Sequence, residues 1–155
     1  MKIIYARQPV VSWKNSTFLA GPTPRNKTTA SWRPTALNLL KNLGFQGVVL
    51  CPEDKTWTPH VDYMPQVEWE KEGLEKCSTI CFWVPRQLPE MPAFTTNIEF
   101  GRYVSIRPDS VIYGRPDWAE KCKYLDWFYE TYSGRKPHIT LEETLRETIS
   151  LTNLV

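Results

Sequence analysis

Glu99 stands in the stretch TTNIEFGRYV, and Glu70 in VEWEKEGLEKC. Thr96, Asn97, Ile98 and Glu99 spell a Thr-x-x-Glu box, with which a helix satisfies its own first backbone N–H groups. The same place near a helix N-terminus favours an ionised carboxylate, and an ionised carboxylate is a nucleophile toward an electrophilic carbon. Capping and covalent catalysis are both open to Glu99. Glu70 poses a different question. On a helix from about Pro65 to Cys77 an apolar stripe passes through Val67, Leu74 and Cys77, and Glu70 falls on it. Glu68, Glu72 and Glu75 take another face. A carboxylate on an apolar face is costly unless it pairs with an Arg or serves in chemistry.

Both glutamates need a scaffold, and the hydrophobic pattern supplies one. STFLAG, QGVVLCPE, STICFWVP and DSVIYGRP are short apolar runs that read as buried strands, after an extended N-terminal segment. Between them run helical patterns. RPTALNLLKNLG carries a stripe of Ala36, Leu37, Leu39, Leu40 and Leu43, opened by Ser31 and closed at Gly44. The Glu70 helix follows the second strand, the Glu99 helix follows the third with a Thr-Thr start, and DWAEKCKYLDWFYETY and ITLEETLRETISL close the chain. The expected fold is an α/β single domain over residues 1–155: a doubly wound, mostly parallel sheet of the Rossmann or flavodoxin type with helices on both faces. Ligands in such sheets bind outside the carboxyl ends of the strands, which singles out the loops 21 to 33, 52 to 64 and 85 to 96.

Composition narrows the partners. A chain of 155 residues with 41% hydrophobic residues can bury one core, and a net charge of +2 without basic runs gives no reason to expect a nucleic-acid polymer. No segment has the apolar length of a membrane span, and the N-terminus has no long apolar core, so a cytoplasmic protein is expected. Cys51, Cys77, Cys81 and Cys122 match neither a disulfide framework nor a zinc knuckle and read as reduced, buried thiols. The loop GPTPRNK has neither the Lys-Ser/Thr signature for phosphates nor the dinucleotide glycine fingerprint. His60 and His138 have no recognisable catalytic partner nearby. Neither metal nor cofactor is expected.

Taken in order, FLAGPT, SWRPTAL, CPE, YMPQVEWEKEGLEKCSTICFWVP and TTNIEFGRYV, spread over residues 17 to 104, make the chain resemble the nucleoside 2-deoxyribosyltransferase family and its relatives among small nucleoside and nucleotide N-glycosidases. YGRPDWAEKCKYLDW at 113 to 127 fits the same group less specifically. The resemblance implies that Glu99 is the nucleophile and that Glu70, ahead of Glu68, is the second acid near the base. It also implies a place near Asp126 for a polar residue reaching a neighbouring subunit's site, and a homo-oligomer with shared sites. Three departures stand out. Thr17 or Phe18 replaces a first-strand tyrosine, leaving Tyr5, Tyr63 or a group elsewhere to orient the nucleophile. Thr95, Thr96 and Asn97 stand where an acid precedes the nucleophile, and the chain ends TNLV rather than in an aromatic residue.

The activity so implied is exchange of a 2-deoxyribosyl group between nucleobases, with 2′-deoxynucleosides and free bases as the small-molecule partners. Its chemistry parallels retaining glycoside hydrolysis, in which a carboxylate forms a covalent glycosyl-enzyme. Trp57, Tyr63, Trp83 and Phe94 are candidate walls for the base, and Gly21 and Pro22 are candidates for close backbone approach. Arg25 and Lys27 could reach a phosphate. Two other readings remain open: an N-glycosidase hydrolysing deoxynucleoside 5′-monophosphates, and a nucleotide-binding sensor without turnover.

Overall fold

The computed structural model describes residues 1–53 and 63–154, so Trp57 and His60 lie outside the described residues. Five strands, β1 (Lys2–Tyr5), β2 (Ser16–Ala20), β3 (Val48–Cys51), β4 (Thr79–Trp83) and β5 (Val111–Gly114), form one sheet in the order β1-β3-β2-β4-β5. Every pairing is parallel. The helices are α1 (Arg33–Asn42), α2 (Met64–Lys76), α3 (Phe94–Ile106), α4 (Lys123–Ser133) and α5 (Leu141–Thr152). The protein is thus α/β and doubly wound, and the extended N-terminal segment is an edge strand paired with β3.

Both faces of the sheet are covered, which is why its strands read as continuous apolar runs. Side chains alternate along each strand. Phe18, Ala20, Val48, Leu50, Ile80 and Phe82 face a core completed by Trp69 and Leu74 of α2, Phe100 and Val104 of α3, and Leu125 and Tyr129 of α4. Leu19, Val49, Cys81 and Trp83 face the opposite core, completed by Ala36 and Leu40 of α1 and Leu145 of α5. Gly73 lets α2 lie directly on β2, since a Cβ there would come within 2.7 Å of the Phe18 ring.

The start of α3 differs from the expected Thr-Thr opening. The helix begins at Phe94, after Ala93 in the left-handed region with φ 61°, and no side chain caps it. The Asn97 N–H already donates to the Ala93 carbonyl at 3.0 Å. Thr96 therefore sits inside the first turn and Glu99 inside the second, where a capping box cannot form.

Two arginines fix how the elements meet. Arg107, at the end of α3, donates to the carbonyls of Leu74 (2.7 Å), Glu75 (3.0 Å) and Cys77 (2.6 Å), closing the C-terminus of α2 and locking it to α3. Arg33, at the start of α1, is 1% exposed and reaches under the loop that follows β2. Among the described residues no helix is long and apolar enough to cross a membrane. All four cysteines are buried and unpaired. Burial pushes the Cys77 and Cys81 thiols up to about 12, far from thiolate chemistry at neutral pH.

Candidate active site

From β2 the chain crosses to β3 on one side and then returns past β2 to β4 on the other. Such a reversal leaves a crevice at the carboxyl ends of the two central strands. A cleft of about 740 Å³ lies there, walled by the 21–33 loop, the residues after β3, α2 and the first turns of α3.

Glu70 and Glu99 both line this cleft. Burial, with the negative charge of Glu70 adding to it and Arg33 opposing it, pushes the Glu99 carboxyl up to about 7 from an ordinary 4.5. Burial likewise raises Glu70, against the pull of its hydrogen bond from Gln66 and the charge of Arg33. Proximity to the helix N-terminus does not hold Glu99 ionised, as its sequence position suggested. The carboxylate lies beyond the first turn, where the dipole fades and desolvation wins. Because the charge of Glu70 is among the causes that raise Glu99, the pair passes with rising pH through an interval in which Glu99 keeps its proton beside a charged Glu70. A nucleophile and an acid likewise need one charged and one neutral carboxyl, with the proton on the other partner.

Gln66, one turn before Glu70 on α2, donates to Glu70 Oε1 at 2.8 Å and to the Pro52 carbonyl at 3.2 Å, so Glu70 is oriented from both α2 and the β3 loop. Arg33 organises the opposite wall. It donates to the carbonyls of Leu19 (3.1 Å) and Gly21 (2.7 Å), to Thr23 Oγ1 (3.0 Å), and to Glu53 Oε1 at 2.8 Å as an ion pair. Ser31 adds a bond to the same Glu53 oxygen at 2.6 Å. Gly21 has φ 150°, and a Cβ there would lie 2.1 Å from the Trp83 carbonyl oxygen, so the position admits only glycine for packing against β4.

The structure gathers most of the residues singled out in the sequence. Gly21, Pro22, Tyr63, Phe94, Thr95 and Thr96 line the cleft with the two glutamates. Tyr63 and Phe94 are largely exposed there. Of the residues weighed in place of a first-strand tyrosine, Phe18 lines the cleft and Thr17 does not; Thr17 is buried and its hydroxyl finds no partner among the described residues. Asn97 turns away from the cleft, accepting from the Arg86 guanidinium beside a smaller cavity between α3 and α4. Asp126 is also elsewhere, held in a 2.7 Å ion pair by Arg115 and accepting from the Tyr113 hydroxyl at 3.0 Å. Trp83 belongs to the core with Trp32 and Leu145. His138 pairs with Glu147 near α5.

Three residues of the site escaped sequence reasoning: Arg33, Glu53 and Gln66. Arg33 and Glu53 stood inside SWRPTAL and CPE, but their pairing needs β2 and β3 to lie side by side. Gln66 was accessible in principle, because it precedes Glu70 by four residues on one helix face.

A family model described as nucleoside 2-deoxyribosyltransferase like matches residues 14–118. The chain belongs to that family. No curated protein matches it. The match takes in the whole cleft apart from Arg7, and also both glutamates; it leaves out β1, α4, α5 and Asp126. At the level of the family, the deoxyribosyltransferase-like assignment agrees with a glycosyl-transferring enzyme and with small nucleoside substrates.

Proposed function

We propose that the protein transfers a 2-deoxyribosyl group between nucleobases through a covalent deoxyribosyl-glutamate at Glu99. The observation that carries this reading is the pair of glutamates in one cleft at the sheet's reversal point, with Glu99 pushed up to about 7 beside a second raised carboxyl. In the reactive form Glu99 is charged and Glu70 carries the proton, so substrate binding must draw across to Glu70 the proton that burial and the Glu70 charge keep on Glu99 in the free cleft. A Glu99 oxygen bonds to C1′ as the C1′–N bond breaks; the electron pair goes to the base nitrogen, which takes the proton from Glu70. A second base then attacks C1′, Glu99 departs as carboxylate, and the incoming base returns its N–H proton to Glu70. A deoxy sugar suits this path, because no electron-withdrawing 2-hydroxyl opposes the cationic character at C1′.

One face of Phe94 is occupied by the Arg25 guanidinium, 5.0 Å from the ring centroid, and among the described residues the exposed Tyr63 ring in the cleft lining is the aromatic we assign to the base. Gly21 and Pro22 present backbone to the same space, and Thr95 and Thr96 supply hydroxyls next to Glu99. We read the protein as a single domain working as a homo-oligomer. Support comes from the exposed apolar side chains Tyr124, Trp127 and Tyr132 on α4 and Ile98 on α3. In this reading Asp126 has a scaffold role within α4 as well as any service to a neighbour.

The test is to incubate the protein with deoxyinosine or thymidine and free adenine and separate the products by liquid chromatography. Deoxyadenosine is expected with the intact protein and absent with Glu99→Ala. Free base without a new nucleoside identifies a hydrolase, and no turnover of any substrate leaves a binding module.

A further inference from the structure

The 21–33 loop carries Arg25, Lys27 and Arg33 and no acidic residue. Arg33 is turned inward and neutralised by Glu53. Arg25 is placed differently. Its backbone N–H is fixed to the Glu90 carbonyl at 2.9 Å, and its guanidinium rests on Phe94 at 5.0 Å from the ring centroid. Among the described residues that guanidinium takes no hydrogen bond and no ion pair. The loop is braced from within: the Asn26 side-chain oxygen accepts from the N–H groups of Thr28 (3.1 Å) and Thr29 (2.8 Å). Arg25, Asn26, Phe94 and Arg7 all line the cleft that holds Glu70 and Glu99.

The cleft therefore has an acidic floor and a basic rim. A neutral deoxynucleoside engages the floor and leaves the Arg25 fork without an acceptor. We propose that the substrate carries a 5′-phosphate, bound at the rim chiefly by Arg25; this rests on the reading of the cleft as a deoxyribosyl site. The 5′-phosphate projects from C4′, across the furanose ring from C1′, so an anion at the rim leaves C1′ free to sit over Glu99. On the floor a phosphate would meet two carboxyls and be repelled. A guanidinium matches phosphate oxygens bidentately, and its stacking on Phe94 holds the planar fork ready, so little freedom is lost on binding.

The experiment compares deoxyinosine, deoxyinosine 5′-monophosphate and inorganic phosphate on the intact protein and on Arg25→Gln. It reads the thermal midpoint against ligand concentration together with kcat/KM for base release or exchange. The monophosphate is expected to half-saturate at a concentration about tenfold or more below that of the nucleoside. Arg25→Gln brings that ratio close to one, and added salt narrows it. Inorganic phosphate alone gives no comparable shift. Equal affinity for nucleoside and monophosphate, an unchanged ratio in Arg25→Gln, no shift with any compound, or an inorganic phosphate shift as large as the nucleotide's overturns the proposal. If the nucleotide preference holds while neither compound is turned over, the anion site stands and the catalytic reading fails.

Discussion

At the scale of single residues the account turns on one proton shared by Glu70 and Glu99. The singly protonated pair, from which the reactive arrangement forms by moving the proton from Glu99 to Glu70, exists above the raised value of Glu70 and below about 7. The pH profile of kcat/KM is therefore expected to be bell-shaped, with its alkaline limb near 7 and its acid limb above the ordinary carboxylate value of 4.5. Glu70→Gln removes both the acid and a negative neighbour. It should lower kcat by about 10²–10⁴-fold, erase the alkaline limb and move the ionisation of Glu99 to lower pH. A flat profile from pH 5 to 9 would sink the shared-proton argument. Stability supplies an independent check. A carboxyl raised from 4.5 to about 7 by folding contributes stability that is complete below 4.5 and is lost as pH rises through 7. At pH 8 the folded protein bears the cost of a buried charge, so Glu99→Gln should be more stable than the parent by about 1–3 kcal/mol, with the difference vanishing near pH 4. Denaturant titrations at the two pH values measure this. A capping glutamate would give the opposite sign, a loss on the order of 1 kcal/mol on replacement by Ala.

At the scale of elements, what the sequence disclosed and what it hid divide along a physical line. Local signals were readable: the apolar runs that became β2 to β5, the Pro and Gly punctuation, and the placing of Glu70 apart from Glu68, Glu72 and Glu75, which are exposed while Glu70 is half-buried. Signals that depend on two distant segments were not. The Arg33–Glu53 pair needs β2 beside β3, and the burial of Trp83 away from the cleft depends on which face of β4 it occupies. The Thr-Thr helix start misled because Ala93 adopts a left-handed backbone, a conformation its residue type does not announce. The helix α5 was legible, but its buried side was not. That side consists of Thr144, Leu145, Thr148 and Thr152, whose hydroxyls are satisfied mainly within the helix, rather than of the leucines that a stripe search seeks. The close approach of β2 and β4 at the cleft yields a prediction of its own. Gly21→Ala forces a methyl against the Trp83 carbonyl at a φ that side chains avoid. Thermal or chemical denaturation should show a loss of roughly 1–3 kcal/mol, with activity reduced as the loop shifts. An undisturbed midpoint would mean that the loop has slack the structure does not contain.

At the scale of the whole molecule, the family match over residues 14–118 encloses the cleft but leaves part of the scaffold outside it. Helix α5 packs on β4 and β5 and against α1, and its Thr152 hydroxyl bonds that of Thr79 in β4 at 2.6 Å. Without α5, Leu19, Cys81 and Trp83 lose their cover on one face of the sheet. A chain ending at residue 140 is accordingly expected to aggregate or to bind a hydrophobic dye, as judged by size-exclusion chromatography and dye fluorescence. A soluble, cooperatively unfolding product would show that the second core is dispensable. The cleft draws on both halves of the architecture: α1 sets Arg33 beneath one wall, and α2 and α3, locked by Arg107, set the two glutamates on the other. Function on this account is a property of the sheet reversal that brings these walls together, which no single motif contains.

The covalent intermediate is the central claim, and denaturing mass spectrometry of the protein quenched in acid during turnover of a deoxynucleoside or its 5′-monophosphate tests it most directly. The account predicts a mass increase of one deoxyribosyl group, or of its 5-phosphate, located on the peptide that contains Glu99 and missing from Glu99→Gln. Turnover with no adduct on that peptide, or an adduct that survives in Glu99→Gln, would contradict it.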